Sequence, residues 1–291
     1  MKRFGNLVFI PGLNEGRYPY CNSLFVDDGE KAIIDPGSNE EILKELSRNT
    51  GMLLNTHYHE DHFTYNYLFP HARLHVHANE ACCYESVRNI LDFYGLLGGK
   101  YEKDWLDLFL GRFNYRERKP ERKLADGEIL QVGNTTIEVI HTPGHSPGHC
   151  SFWFPEEQVL FLGDLDMTRF GPWYGDRVSD IDQTIESVRK LMRIPARTFI
   201  SAHETGVIEG DIAAMAEAYL DIISLREENL LKSLRRPGTL NDIVNRWVIY
   251  RKPREPLHFF EFGEEALVKK HLERLLRQKK VVLEEGIYRL M

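Results

Sequence analysis

The stretch Thr56-His57-Tyr58-His59-Glu60-Asp61-His62 is the most informative part of this chain. It places three imidazoles and two carboxylates within six residues, directly after the short apolar segment 51–55, which has the length of a buried strand. A strand end that turns into a helix start can aim several side chains at one point. Neutral imidazoles and carboxylates are the groups that divalent transition metals bind. We therefore predict a metal site at this strand end.

Three further candidate ligands follow other predicted strands. His145 ends the loop Thr142-Pro143-Gly144-His145 after a strand at 136–140, Asp164 follows a strand at 159–162, and His203 follows a strand at 198–201. Strand ends that converge on one edge of a sheet are where α/β proteins form their sites. These residues are therefore expected to join the first group.

The order of elements indicates an α/β fold. Strands and helices interleave up to about residue 210, among them a hairpin turning at Asp28-Gly29 and a helix over 40–48 capped by Ser38 or Asn39. Residues 79–122 interrupt this order as an insertion rich in aromatic residues. We expect most of these aromatics to pack a helical pair onto the body, with a lid over the site as the alternative.

A different pattern begins at Asp211. A long amphipathic helix towards Leu234, a short helix starting at Thr239, a helix over 263–280 and a terminal hairpin (281–283 and 287–290) follow one another. This is the order of a winged helix. We therefore predict a catalytic domain at 1–210, with the 79–122 insertion, and a small C-terminal domain at 211–291.

Composition narrows the class of protein. The chain has 291 residues, 42% hydrophobic and 28% charged, as in ordinary globular proteins. We expect no membrane span, because there is no apolar run of about 18 residues. The N-terminus does not resemble a signal peptide, and four cysteines do not make a disulfide framework, so a cytoplasmic location and inert thiols are expected.

The motifs together resemble the metallo-β-lactamase superfamily. The resemblance covers residues 1 to about 210, with the His-x-His-x-Asp-His run at 57–62, the Thr-Pro-Gly-His loop at 142–145, the Gly-Asp pair at 163–164, and His203, in that order. It implies an αββα sandwich, in which two sheets lie between outer helices.

The resemblance also implies a dinuclear ligand set. One metal would be held by His57, His59 and His145, and a second by Asp61, His62 and His203, with Asp164 bridging both. Two divalent ions are then expected, with zinc favoured and manganese or iron permitted by nitrogen and oxygen ligands. Glu60, His141 and His149 fall outside this set and are expected to act as supporting or solvent-facing groups at most.

The implied chemistry is hydrolysis. A metal-bound hydroxide would attack a small ester, thioester or lactone, and Asp61 would orient the attacking water as well as bind metal. The loop after the bridging aspartate supplies Arg169 and Tyr174 as candidate substrate contacts.

Three other functions stay open. The tail resembles that of lactamase-like single-strand endoribonucleases, and the last helix is basic through Lys269, Lys270, Arg274, Arg277, Lys279 and Lys280. The chain as a whole carries a net charge of −7, so a small-molecule substrate is favoured over nucleic acid, with the tail shaping the cleft or forming a homodimer contact. The other two functions are an iron-dependent sulfur dioxygenase, which needs only one iron, and a non-catalytic binding module, which needs no complete ligand set. The complete two-metal ligand set disfavours both.

Overall fold

The computed structural model describes residues 1–291 and contains two large β-sheets. The first sheet has seven strands whose spatial order equals their chain order: β1 (Lys2–Phe4), β2 (Leu7–Ile10), β3 (Ser23–Asp27), β4 (Lys31–Ile34), β5 (Thr50–Leu54), β6 (Arg73–His77) and β7 (Arg122–Leu124). Neighbours pair antiparallel from β1 to β4 and parallel from β4 to β7. The predicted hairpin at Asp28-Gly29 is confirmed, because it joins β3 to β4.

The second sheet also follows chain order. Its six strands are β8 (Ile129–Val132), β9 (Thr135–His141), β10 (Cys150–Phe154), β11 (Val159–Gly163), β12 (Thr198–Ser201) and β13 (Val207–Glu209). All neighbours are antiparallel except β11 and β12, which are parallel. The three-residue edge strands β1, β7 and β13 were not predicted, since segments this short carry no alternation of polar and apolar residues.

Nine helices accompany the sheets, with short 3-10 turns at Leu13–Gly16, Asn66–Leu68 and Ala78–Glu80. The helices are α1 (Glu40–Ser47), α2 (Glu60–Phe63), α3 (Ala81–Glu85), α4 (Val87–Tyr94), α5 (Glu102–Leu110), α6 (Ile181–Leu191), α7 (Ala213–Ser233), α8 (Leu240–Val244) and α9 (Leu257–Arg277). Asn39 caps α1 as predicted, its side chain accepting from the backbone N–H of Ile42. None of these helices is both long and apolar enough for a membrane crossing.

The apolar residues form three clusters that define the layers. The middle cluster joins the facing sides of the two sheets, with members such as Leu54 from β5 and Phe161 from β11. A second cluster joins the other face of the first sheet to α1 and the helices of the insertion, and a third joins the other face of the second sheet to α6–α9. The αββα sandwich predicted from the resemblance is confirmed.

The C-terminal region follows the predicted order of helices and hairpin. Its last two strands are β14 (Val281–Glu284) and β15 (Ile287–Leu290), which pair antiparallel. Helix α9 begins at Leu257, six residues earlier than predicted, and Gly263 lies inside the helix rather than at its start. A Cβ at Gly263 would lie 2.6 Å from the Tyr250 hydroxyl, so this glycine instead permits close packing inside the helix.

Candidate metal centre

Loops that leave the ends of four strands bring the predicted ligands together. The run 57–62 follows β5, His145 lies in the loop between β9 and β10, Asp164 directly follows β11, and His203 lies two residues beyond β12. The positive φ of Gly144 (128°) is one condition for this convergence, since a Cβ there would lie 2.2 Å from the backbone nitrogen of Thr184. All seven predicted ligands meet in one buried region.

One group of ligand atoms is built from three histidines. His145 Nε2 lies 3.0 Å from His57 Nε2 and 3.0 Å from His59 Nδ1. Oδ2 of Asp164 lies 3.8 Å from His57 Nε2 and 3.5 Å from His145 Nε2. Three nitrogens and a carboxylate oxygen at these separations can surround one cation.

The adjacent group comprises Asp61, His62 and His203. His203 Nε2 lies 3.3 Å from Asp61 Oδ2, and His62 Nε2 lies 3.8 Å from Asp61 Oδ1. Oδ1 of Asp164 lies 2.9 Å from His62 Nε2 and 3.3 Å from His203 Nε2. The two oxygens of Asp164 therefore face different groups, which is the geometry a bridging carboxylate requires.

Each histidine is oriented through its other ring nitrogen. Nδ1 of His62 lies 2.9 Å from Asp35 Oδ2, and Nε2 of His59 lies 2.7 Å from Asp176 Oδ2. The remaining acceptors are Gly16 O for His203 (2.8 Å), Trp173 O for His145 (3.1 Å) and Thr56 Oγ1 for His57 (2.9 Å). Such partners fix the tautomer and the direction of a metal-binding ring.

Two orphaned atoms show that the site fits cations. His62 Nε2 and Asp164 Oδ1 are buried, and neither has a hydrogen-bond partner, although the pair is 2.9 Å apart. Buried polar atoms without partners are costly, and a cation between them would satisfy both. The set of nitrogen and oxygen donors suits a divalent transition metal.

The pKa values of the ligand histidines shift in different directions, according to what faces each ring. Burial lowers the pKa of His203, but the carboxylates of Asp164 and Asp61 outweigh burial and raise that pKa to about 10. At His59, burial is likewise outweighed by Asp176, which raises the pKa to about 9, but Asp176 faces the outer ring nitrogen rather than the site. Burial lowers the pKa of His57 and lowers that of His145 to about 4, so these two imidazoles favour the neutral form that binds metal. A divalent ion beside His203 would replace the proton that Asp164 and Asp61 favour there.

A cavity of about 430 Å³ opens onto the two groups. Its floor includes five of the seven candidate ligands: His59, Asp61, His145, Asp164 and His203. Asp166 also lines it, and burial raises the pKa of this carboxyl to about 6. The cavity is large enough for a small organic substrate.

The candidate substrate contacts do not line this cavity. Tyr174 is fully buried, and its hydroxyl lies 2.9 Å from His271 Nε2 and accepts from the Arg226 guanidinium, so its prediction is wrong. Arg169 is exposed but lies outside the lining, between the lining residues Thr168 and Phe170. The loop after Asp164 does line the cavity, through residues such as Thr168 and Phe170, but the Tyr174 side chain turns away from the cavity and packs against α7 and α9.

The three flanking groups have separate surroundings. Glu60 is buried rather than solvent-facing, and its carboxylate accepts from the hydroxyls of Tyr18 (2.8 Å) and Tyr94 (2.6 Å). His149 Nε2 accepts from the backbone N–H of Asp164 at 3.0 Å and so supports the bridging residue. His141 stacks on His77, with ring centroids 4.0 Å apart, and belongs to neither ligand group.

Sequence reasoning missed the role of Asp176. This carboxylate is fully buried and accepts from Tyr58, from the Trp173 indole N–H (3.2 Å) and from His59. It lies 117 positions from His59. No local pattern marks it, so only the folded chain reveals the contact.

Comparisons with known proteins agree with this geometry. The family model described as "Metallo-beta-lactamase superfamily" matches residues 17–203. The chain is 28% identical over 176 residues to a hydroxyacylglutathione hydrolase of Rhodospirillum rubrum, covering 59% of this chain and 56% of the relative. It is 26% identical over 257 residues to an atrochrysone carboxyl ACP thioesterase of Pseudocercospora fijiensis, covering 81% of this chain and 65% of the relative. The chain thus spans less than two thirds of the length of either relative.

A solved structure resembles the whole fold. The crystal structure of a metallo-beta-lactamase family protein from Thermus thermophilus superposes with a TM-score of 0.72 at 24% identity, covering 98% of this chain and 99% of that one. That likeness extends through the C-terminal helices, whereas the family model ends at His203. The match over 17–203, together with the ligand motifs in it, shows that the chain belongs to the metallo-beta-lactamase superfamily.

Proposed function

We propose that this chain is a metal-dependent hydrolase with a dinuclear site, acting on a small ester, thioester or lactone. The observation that carries the proposal is Asp164, whose two oxygens face two adjacent groups of ligand atoms on the floor of an open cavity. Among the three bonds we favour the thioester, because the relatives named above bear the names of thioester hydrolases.

The proposed ligand roles follow the two groups. His57, His59 and His145 would hold one cation, and Asp61, His62 and His203 the other, with Asp164 shared. Zinc suits this set, and manganese or iron is compatible with it. The chemistry that divalent cations supply at such a site is Lewis acidity, which polarises a carbonyl group and lowers the pKa of water.

The chain's own residues then orient the reaction. Asp61 lines the cavity and lies within 3.3 Å of His203, so it would orient the attacking water and accept its proton. Asp35 and Asp176 keep His62 and His59 directed at the site through their outer ring nitrogens. The ligand imidazoles are almost completely buried, and the cavity is an open approach to them.

Steady-state turnover tests the proposal. A metal-replete preparation should hydrolyse at least one class in a panel of thioesters, esters and lactones, and Asp61→Ala should lose at least about 100-fold in kcat, the usual scale for a positioned acid–base group. A variant Asp61→Ala that stays fully active at saturating metal would refute the role given to this carboxylate.

Cleavage of single-stranded RNA is the second candidate, which the basic last helix suggested. Several of its basic side chains are engaged within the protein: Arg274 pairs with Glu227 and Asp182, and Lys270 donates to the Arg177 carbonyl at 2.7 Å. Such pairing leaves fewer charges for phosphate contacts, so we rank this function lower. RNA cleavage by the parent that falls steeply with salt would reverse the ranking.

A further inference from the structure

The walls of the cavity are unusually aromatic. Its floor is made of the polar groups described above, but its sides come from four separate parts of the chain and carry nine aromatic residues, among them Tyr18, Trp105, Phe170, Tyr250 and Phe259. The insertion contributes Trp105. Tyr250 comes from the segment that precedes α9, and Phe259 comes from the first turn of α9. Regions distant in sequence thus supply ring surface to one cavity.

Several of these rings remain accessible from outside. Phe170 is 41% exposed and Tyr18 is 40% exposed, although both are large aromatic residues. Tyr18 stacks on Phe259 with ring centroids 5.3 Å apart, and Phe170 stacks on Tyr250 at 5.4 Å. Two stacked pairs therefore border the cavity, and the exposed apolar area lies where a ligand would bind.

The charges around the cavity disfavour a small, highly anionic ligand. Beyond the candidate metal ligands, the lining contains Glu60, Asp166 and Glu204 but only two cations, Arg17 and Arg254. Arg17 is already within 3.1 Å of Glu15 and 3.8 Å of Glu204.

Arg254 is the one lining cation without a carboxylate partner. Its guanidinium instead lies 5.7 Å from the Tyr250 ring centroid and 5.9 Å from that of Phe260. A guanidinium over aromatic rings extends a flat contact surface. The recognition chemistry of the walls is therefore that of ring stacking.

We infer that the cavity selects an aromatic acyl group, with a single ring or two fused rings, over small hydroxyacyl groups. This inference rests on the hydrolase proposed above. Ring-on-ring contacts with Tyr18, Phe259 and Phe170 would hold the acyl group while its carbonyl carbon lies over the metal ligands. Hydrolysis joins the oxygen of water to that carbon and breaks the carbon–sulfur bond. The two protons of water end on the released carboxylic acid, which then ionises, and on the thiol.

The test varies the acyl group alone. N-acetylcysteamine thioesters of 2-naphthoic, benzoic, acetic and lactic acid share one small, neutral thiol. Each kcat/KM is divided by the rate constant for hydroxide-catalysed hydrolysis of the same thioester. We expect the normalised value for 2-naphthoyl to exceed that for lactoyl by at least about tenfold, the effect of two favourable aromatic contacts.

A matched pair of variants tests the wall itself. Phe259→Ala should reduce the naphthoyl-to-lactoyl selectivity by about threefold, the share of one of those two contacts. Leu257→Ala removes a 41% exposed residue from the same helix, outside the cavity lining, and should leave the selectivity unchanged. Binding of neutral 2-acetonaphthone, measured by isothermal titration calorimetry, gives a second readout that needs no turnover, and Phe259→Ala should weaken it.

The outcomes separate the two proposals. Hydrolysis of lactoyl as efficient as that of naphthoyl after normalisation would overturn the aromatic pocket and leave the hydrolase intact. Binding of 2-acetonaphthone that Phe259→Ala weakens, without hydrolysis of any thioester, ester or lactone, would support the pocket and reject the hydrolase. If the ketone does not bind and no thioester, ester or lactone is hydrolysed, both proposals fail.

Discussion

Asp176→Asn should weaken metal binding without changing the number of ligands. Oδ2 of Asp176 is 2.7 Å from His59 Nε2 and also accepts from the Tyr58 hydroxyl, while Oδ1 accepts from Trp173. All three neighbours are placed as donors, so the amide group of asparagine must face at least one of them with N–H. His59 would lose its charged partner while its Nδ1 still points at the site.

The expected size follows from the role of this carboxylate. Loss of a group that orients a ligand histidine typically costs 10- to 100-fold in metal affinity, about 1.4 to 2.7 kcal/mol. The assay is a titration of the metal-free protein with zinc against a competing chelator, which reports a dissociation constant for each ion. At saturating zinc the variant should still bind as many ions as the parent.

Asp180→Asn is the matched control. Asp180 lies four residues away and caps α6, its side chain accepting from the backbone N–H of Gln183 at 2.9 Å. Asparagine caps helices as well as aspartate does, so this variant should bind zinc like the parent. Equal zinc affinities for Asp176→Asn, Asp180→Asn and the parent would refute the reasoning.

Two further variants probe the framework of the site. Burial raises the pKa of Glu80 to about 7, above its unfolded value of 4.5, so the folded state holds an extra proton and stability should fall as pH rises from about 4.5 to 7. Glu80→Gln should flatten that fall in melting temperatures measured from pH 4.5 to 8. An unchanged slope would contradict the assignment. Arg226 donates at 2.7 Å to the carbonyls of Phe170 and Pro172. Arg226→Leu should lower the free energy of unfolding in chemical denaturation by about 3 to 5 kcal/mol, because it leaves buried acceptors unpaired. A loss below about 1 kcal/mol would show that these contacts contribute little.

Most of the candidate site could be predicted because its ligands carry local signals. His57, His59, Asp61 and His62 lie within one short run, and the other three follow strands whose apolar character is visible in the sequence. The strands that precede Asp164 and His203 lie close to their predicted bounds, since β12 matches them and β11 ends one residue later, whereas the layer order was implied by the family resemblance.

What could not be predicted depends on contacts between distant residues. Asp176 and Tyr174 lie in a loop without periodicity, and their partners, His59 and His271, are 117 and 97 positions away. The ring of aromatics around the cavity likewise combines the insertion with the C-terminal helices. We expected most insertion aromatics to be packing residues, and Trp105, Phe109 and Phe113 are indeed buried in one cluster, but Trp105 also lines the cavity.

The number of bound metal ions tests the central claim most directly. Native mass spectrometry of the protein purified in the presence of zinc should show two ions per chain. Asp164→Asn should lower occupancy at both positions, because each oxygen of this carboxylate faces a different ligand group, and His141→Ala should retain both ions. A single ion in the parent, or two retained ions in Asp164→Asn with loss in His141→Ala, would contradict the dinuclear assignment.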